Sequence, residues 1–496
     1  MGGAALALLT GAGLALAFPA PGVWWLAWAG LVPLLLLVRT GSARRAAGWS
    51  WLAGSAFFLT LHHWLVPHLG VFALPVFALL GAAWIPFGLL AHRLLGGRLS
   101  AARAGAALVV LPSVWVSVEA LRSWKHLGGP WGLLGLTQWQ VRPVLALAAV
   151  GGVWLLSFVL VAVNAGLAAA VAPGASRAAR LLGGGAAAGL ATVAVVSGVV
   201  RPEPEVTGTL RVAGVQAGVV HDREARLAEH LRLTRGLASG GHDVVVWGQS
   251  SVGFDPAQHP EVTARLRRAA AETDLLVNVD ARGPDGRITK SARQFTAEGE
   301  VARYDKQRLV PFGEYVPLRG LLGWVGGVTD AADADRRPGT APAIFQVAGV
   351  RAGPLISYES AFPDLRRTLA RMGAQVTLVQ GSTTTFQGSW AQPQQASMEA
   401  VRAVESGRPA VLVAMSGTSA AFDARGRRLA WVPSDHRGTF VVEVPLSAEA
   451  TLYVRWGDRV PAGAMVVTIL AVLILLVRRP RSAAGRSPSR RTGAPR

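Results

Sequence analysis

The stretch RYDKQRLVPFGEYVP, residues 303–317, is the most distinctive run in the sequence. It contains Lys306, one of only three lysines in a chain that otherwise relies on arginine for its positive charge. A lysine that persists against this bias favours a role that needs a compact ammonium group. The same stretch carries Glu314, so an ammonium and a carboxylate lie in one short segment. This combination makes the stretch a candidate part of an active or binding site.

The segment around this stretch, residues 201–459, alternates short apolar runs typical of strands with amphipathic runs typical of helices. The predicted strands are Leu210–Ala217, Asp243–Trp247, Asp274–Val279, Gly353–Ser357, Gln375–Val379, Pro409–Met415 and Gly438–Val444. The predicted helices include Arg223–Leu237 and Gln392–Ser406. Strands that alternate with helices over this length predict one α/β layered domain.

The two flanks of this segment are apolar enough to cross a membrane, for which a helix needs about 20 apolar residues. The predicted spans are residues 3–20, 23–38, 50–68, 70–92, 104–121, 144–172, 181–200 and 460–477. The sequence therefore predicts a transmembrane region over residues 1–200, the α/β domain over 201–459, a C-terminal transmembrane helix over 460–477 and a tail over 478–496. That tail is basic and rich in Ser and Pro, which favours disorder.

The distribution of charge predicts the orientation in the membrane. The net charge is +20, but all acidic residues except Glu119 lie in the α/β segment, so the positive excess belongs to the apolar flanks and nucleic acid binding is not expected. Arginines follow the second, fourth and sixth predicted spans and are frequent in the tail. Loops that carry an excess of Lys and Arg generally face the cytoplasm. We therefore expect a multi-pass protein of the bacterial cell membrane with the α/β domain on the extracytoplasmic side.

Cysteine is absent from the chain. Disulfides, thiolate metal sites and a cysteine nucleophile are therefore excluded. No metal site and no cofactor are expected.

The stretch 303–317 resembles the YxKxxLVPFGEYxP signature of bacterial apolipoprotein N-acyltransferases, and the resemblance extends over nearly the whole chain. Further similar motifs are Gly129–Gln138, Val245–Gln249, Tyr358–Glu359 and Arg402–Pro409. The resemblance implies a membrane α-helical bundle joined to an α/β nitrilase-like domain, an αββα sandwich.

The resemblance also implies a Glu, Lys, Cys triad, in which the carboxylate is the general base, the lysine stabilises the oxyanion and the thiol is the nucleophile. In that family an acyl chain passes from a phospholipid to the thiol and then to the N-terminal diacylglyceryl-cysteine of an apolipoprotein. Lys306 matches the family lysine. Gln249 stands at the base position and Ser357 at the nucleophile position, and Gly248 replaces the proline usual before the base.

The two substitutions leave three interpretations open. The chain is a degenerate relative that binds lipid or lipoprotein without acylating, a deliberately disabled copy of an active enzyme, or an enzyme in which a neutral Lys306 activates Ser357. The resemblance implies substrate-binding roles for Glu314, Tyr358 and Glu359. Glu314 and Glu359 would pair with Lys306 or orient a substrate amine, whereas Tyr358, next to the nucleophile position, fits a core residue as well as a functional one. The implied partners are a phospholipid acyl donor and diacylglyceryl apolipoproteins.

Overall fold

The computed structural model of the protein describes residues 2–237, 240–324 and 335–477. Residues 2–200 are helical: α1 (Gly2–Ala15), α2 (Leu26–Ala29), α3 (Val32–Val38), α4 (Ala43–Leu61), α5 (Val66–Leu69), α6 (Ala73–Ala82), α7 (Ile85–Leu95), α8 (Ala101–Arg122), α9 (Arg142–Leu145), α10 (Ala148–Val171) and α11 (Arg177–Val200). The helices of the remainder are α12 (Arg223–Arg235), α13 (Pro260–Ala269), α14 (Arg319–Leu322), α15 (Pro363–Arg371), α16 (Ala391–Ser406), α17 (Leu452–Trp456) and α18 (Arg459–Val477).

Five helical segments among the described residues are long and apolar enough to cross a membrane: His63–Leu95, Ala101–Arg122, Ala148–Val171, Arg177–Val200 and Arg459–Val477. The first two predicted spans correspond to shorter apolar helical segments, Gly2–Ala15 and Leu26–Val38. The third corresponds to α4, whose first turn contains Arg44 and Arg45. Residues 478–496, predicted to form the basic tail, lie outside the described residues.

The α/β domain contains two six-stranded sheets. The strands are β1 (Gly208–Gln216), β2 (Val244–Trp247), β3 (Asp274–Arg282), β4 (Ile288–Thr296), β5 (Gly299–Asp305), β6 (Phe345–Val347), β7 (Val350–Ile356), β8 (Val376–Gly381), β9 (Ala410–Ala414), β10 (Ser419–Phe422), β11 (Arg428–Val432) and β12 (Gly438–Leu446). The first sheet has the order β12-β1-β2-β3-β4-β5, and the second has the order β11-β10-β9-β8-β7-β6. In each sheet three central strands are parallel, β1 to β3 and β7 to β9.

Apolar side chains bind the layers together. The facing sheets share a core that includes Val212, Val244, Ile356 and Val411. Helices α12 and α13 cover the outer face of the first sheet through a second cluster that includes Leu227, Leu266 and Trp247. Helices α15 and α16 cover the second sheet, which completes the αββα sandwich expected from the resemblance.

The helical layer α15/α16 also packs against the membrane part, because its residues belong to one continuous core with those of the spans. Apart from Pro393, every residue of α16 is buried. A helix that is buried on all sides lies between two other layers. The sheets are therefore stacked on the spans through α16.

The seven predicted strands all exist, but five others were missed. These are β4, β5, β6, β10 and β11. Strand β4 has the sequence ITKSARQFT, in which polar residues are buried and paired, so its pattern is not that of an apolar strand. Strand β6 has only three residues.

Candidate active site

Ser357 begins a turn at the carboxyl end of β7. Its φ of 51° lies in the left-handed region, which a residue with a side chain adopts at a cost of about 1–3 kcal/mol. The serine is buried and opens a 3₁₀ turn over Ser357–Ala361. Strained single residues of this kind cluster at functional sites, because the surrounding fold must hold them in place.

Gln249 lies near the carboxyl ends of β7 and β8, but it belongs to the first sheet, where it comes two residues after β2. Its backbone N–H donates to the carbonyl of Gly381 at 2.9 Å. Gly381 ends β8, and β8 pairs with β7 so that Gln380 lies opposite Ile356. Gly381 therefore adjoins both Gln249 and the Ser357 turn. The side-chain Oε1 of Gln249 is buried and has no partner among the described residues.

Steric crowding explains why residue 248, just before Gln249, is a glycine. A Cβ at Gly248 would overlap the backbone nitrogen of Met415, which follows β9. The strand end therefore approaches its neighbour more closely than any side chain at residue 248 would allow.

Lys306 is buried one residue beyond β5, where it forms an ion pair with Glu314. Its Nζ donates to both carboxylate oxygens, at 2.9 Å to Oε1 and 2.8 Å to Oε2. Oε2 also accepts from the backbone N–H of Val310 at 2.9 Å. Burial alone would raise the pKa of Glu314, but the charges of Lys306, Lys290 and Arg336 outweigh it and hold that pKa below its ordinary value. Glu314 is therefore ionised, and both of its oxygens are bound by the Lys306 Nζ.

Glu359 connects the lysine segment to the serine turn. Its Oε1 accepts from the backbone N–H groups of Gln307 at 2.7 Å and Arg308 at 3.0 Å, and from the hydroxyl of Tyr304 at 2.8 Å. Its Oε2 accepts from the backbone N–H of Ile356 at 2.8 Å. Burial raises the pKa of this carboxyl group. With four protein donors already bound, Glu359 holds two segments of the site together and has little capacity left for a substrate.

Tyr358 links the site to the Trp-rich loop of the membrane part, residues 124–139. Its ring packs edge-on against Phe362 at 5.1 Å between centroids. Its hydroxyl is buried without a partner among the described residues, and burial raises its pKa. A Cβ at Gly129 would overlap that hydroxyl, so the loop backbone reaches the tyrosine directly.

A second buried lysine, Lys290, lies near Gln249 and was not predicted from the sequence. Lys290 Nζ donates to Ser250 Oγ at 2.5 Å and to both carboxylate oxygens of Asp280, at 2.8 and 2.9 Å. Ser250 follows Gln249 and has a φ of 61°. Burial lowers the pKa of Lys290, and Asp280 opposes this effect. The signal was present, since Lys290 is one of the few lysines, but no motif placed it near Gln249.

Two family models match the chain. The model described as the apolipoprotein N-acyltransferase N-terminal domain covers residues 10–166, and the carbon-nitrogen hydrolase model covers residues 211–452. The apolipoprotein N-acyltransferase of Geobacter metallireducens is 31% identical over 505 residues, which is 94% of this chain and 94% of that protein. This chain belongs to the apolipoprotein N-acyltransferase family.

A second relative from the same family covers nearly the whole chain as well. The apolipoprotein N-acyltransferase of Gloeobacter violaceus is 30% identical over 97% of this chain and 94% of its own length. Among solved structures, an amidase from Nesterenkonia sp. is 20% identical, with a TM-score of 0.36, over 48% of this chain and 90% of that chain. The family and the apolar helices together identify a membrane protein of the acyltransferase type with a nitrilase-like domain.

Proposed function

We propose that this protein binds a phospholipid and the diacylglyceryl-cysteine N-terminus of a lipoprotein in an acyltransferase-type pocket, without transferring an acyl chain. The observation that carries the proposal is the ion pair of Lys306 with Glu314, together with an amide, Gln249, at the base position. The pocket keeps the family's oxyanion-stabilising ammonium. The chain has no thiol, and its base position holds an amide, which does not take up the nucleophile's proton.

The chemistry of the family shows what is missing. A nucleophile attacks the ester carbonyl of the phospholipid and loses its proton to the general base, while an ammonium stabilises the oxyanion. The lysophospholipid alkoxide then leaves with a proton, and the substrate amine attacks the acyl-enzyme. A glutamine amide does not accept that first proton at neutral pH. The hydroxyl of Ser357 is also far less acidic than a thiol.

Lys306 does not supply the missing base. A lysine acts as a base only when neutral, and a neighbouring carboxylate favours the charged form. Nζ of Lys306 already donates to both oxygens of Glu314, so it is engaged by a carboxylate. The lysine remains suited to binding a carbonyl oxygen.

Two buried polar atoms support a binding role. Gln249 Oε1 and the Tyr358 hydroxyl have no protein partner among the described residues. An unpaired buried polar group costs about 1–3 kcal/mol, which a polar ligand would recover. The α-amino group of a lipoprotein N-terminus would donate to Gln249, and an ester carbonyl would accept from Tyr358. We place this pocket on the extracytoplasmic side, where the arginine pattern puts the α/β domain.

The proposal is tested by mass spectrometry of the full chain in nanodiscs that contain phosphatidylethanolamine. Native spectra should show bound lipid, and denaturing spectra should show the unmodified mass. The Tyr358→Phe and Gln249→Ala variants should each retain less lipid or diacylglyceryl peptide than the parent. If neither ligand is retained, the proposal is wrong.

A second candidate is acyl transfer through a Ser357 oxyester. The strained turn at Ser357 favours it, because sharp strand-to-helix turns present serine nucleophiles in other hydrolases. An acyl adduct on Ser357 that disappears in the Lys306→Ala variant would establish this candidate instead.

A further inference from the structure

Helix α10 is broken inside the membrane part. Gly151 has φ −131° and ψ 18°, and Gly152 has φ 68° and ψ −172°, a conformation that is essentially restricted to glycine. The helix resumes at Val153. A helix that restarts in this way exposes free backbone N–H groups at its new N-terminus, and a buried terminus needs acceptors for them.

The acceptor comes from the α/β domain. Oε1 of Glu405, near the end of α16, accepts from the backbone N–H of Val153 at 2.7 Å. Oε2 of the same carboxylate accepts from Arg402 at 2.6 Å, and both side chains are buried. A carboxylate at a helix N-terminus is also favoured by the helix dipole. The α/β domain therefore caps a membrane helix.

A second contact fills the break. Tyr453 of α17 packs so closely on Gly152 that a Cβ there would lie 2.7 Å from its ring. The tyrosine hydroxyl donates to Asp458 at 2.9 Å, just before α18 returns to the membrane part. The break at Gly152, the capping residue Glu405 and the start of α18 therefore lie close together.

The other end of α16 is held near the candidate active site. Gln394 Oε1 accepts from the indole N–H of Trp131 at 2.9 Å, and its Nε2 donates to the carbonyl of Leu61 at 3.2 Å. Trp131 belongs to the Trp-rich loop, whose Gly129 touches Tyr358. Helix α16 is therefore attached to the membrane part at both ends, and one end adjoins the site.

We propose that Glu405 is a positioning residue: by capping the broken helix α10, it fixes the α/β domain at one orientation on the spans, and so fixes the site relative to the lipid surface. Without the cap, the domain remains folded but pivots on the contacts at Gln394. The proposal concerns the joint between the two parts and is independent of whether the site transfers an acyl chain.

The test measures the orientation of the domain. The chain has no cysteine, so two introduced cysteines can carry the only spin labels. Suitable positions are Val71→Cys in the membrane part and Arg268→Cys on α13, both exposed. In nanodiscs, double electron–electron resonance should give one narrow distance distribution for this labelled parent. Glu405→Ala should broaden it, and Glu405→Gln should restore much of its narrowness, because the amide oxygen still accepts from Val153.

A matched control distinguishes a change in domain orientation from a general loss of stability of the α/β domain. Glu399 is also buried on α16 and pairs with Arg366, but its hydrogen bond and ion pair lie within the α/β domain. Glu399→Ala leaves a buried arginine unpaired, as Glu405→Ala does, so it should weaken the domain while the distribution stays narrow. Gly152→Ala places a Cβ 2.7 Å from the ring of Tyr453, next to the N–H that Glu405 caps, so it should displace that helix start from Glu405 and broaden the distribution. A narrow distribution for Gly152→Ala or Glu405→Ala, or equal broadening by Glu399→Ala, overturns the proposal.

Discussion

Lys306 and Glu314 form a buried pair in which one ammonium donates to both oxygens of one carboxylate. Loss of one partner from a buried pair leaves an uncompensated charge and costs about 3–5 kcal/mol. We expect Glu314→Gln to lower the free energy of unfolding of the α/β domain by about this amount in a urea titration of the full chain. The exposed pair Arg232–Glu229 provides the control, since Glu229→Gln should cost about 0–1 kcal/mol.

This first prediction has a second part. If the two side chains act mainly on each other, the double variant Lys306→Met/Glu314→Gln should be less destabilised than the sum of the single variants. If the destabilisation of the double variant instead equals that sum, each side chain is stabilised mainly by residues other than its partner.

The four donors on Glu359 give the second prediction. In Glu359→Gln, one oxygen becomes an N–H₂ group that cannot accept, so at least one buried donor loses its partner at a cost of about 1–3 kcal/mol. Hydrogen exchange should rise in residues 306–310 and 356–361, the two segments that this carboxylate joins. Glu443→Gln, at an exposed position of β12, should leave exchange in both segments unchanged. Protection that stays unchanged in Glu359→Gln would contradict the bridging role.

His230 gives the third prediction, which concerns pH. This histidine is buried in α12 against Trp247, with 5.0 Å between ring centroids, and burial lowers its pKa from 6.5 to about 4. The folded state therefore keeps it neutral while the unfolded chain takes up a proton below pH 6.5. Stability that is fully present above pH 6.5 should be lost as the pH falls towards 4, by up to about 3 kcal/mol.

The measurement compares variants across that pH range. His230→Phe keeps a ring beside Trp247 and removes the titrating group, so its stability should fall less steeply between pH 6.5 and 4 than that of the parent. His221→Phe, at an exposed position, should follow the parent. Parallel curves for the parent and His230→Phe would refute the prediction.

The sequence predicted the layered domain, because buried parallel strands are short apolar runs that stand out from their flanks. It also placed Lys306 and Glu314 in one segment, since they are eight residues apart. It did not predict the cap that Glu405 provides, whose partner Val153 is 252 residues away. It missed β4 because that strand buries three polar residues, Lys290, Ser291 and Arg293. The carboxylates that pair with the two charged ones, Asp280 and Asp255, reach them only in the folded chain.

Membrane topology is the fourth prediction. Reporters fused after about residues 45, 98 and 177 should be cytoplasmic, because arginine-rich loops remain on that side. A reporter inserted within residues 201–459 should be extracytoplasmic. Replacing Arg44 and Arg45 by glutamine should weaken the signal at the first loop. A cytoplasmic α/β domain would overturn both this orientation and the extracytoplasmic placement of the proposed binding pocket.

The last prediction restores the family's chemistry. Gln249→Glu supplies a carboxylate of nearly the same shape beside Gly381, and Ser357→Cys supplies a thiol on the strained turn. With Lys306 already in place, the double variant should N-acylate a diacylglyceryl peptide in phospholipid vesicles, detected by mass spectrometry of the peptide. A general base commonly contributes about 10²- to 10⁴-fold, so Ser357→Cys alone should be slower by about that factor. Gln249→Glu alone should remain near background, because base and nucleophile act as a unit. Adding Lys306→Met to the double variant should abolish the gained activity. An inactive but well-folded double variant would mean that the pocket has lost more than its base and thiol, and that binding too must be sought elsewhere on the molecule.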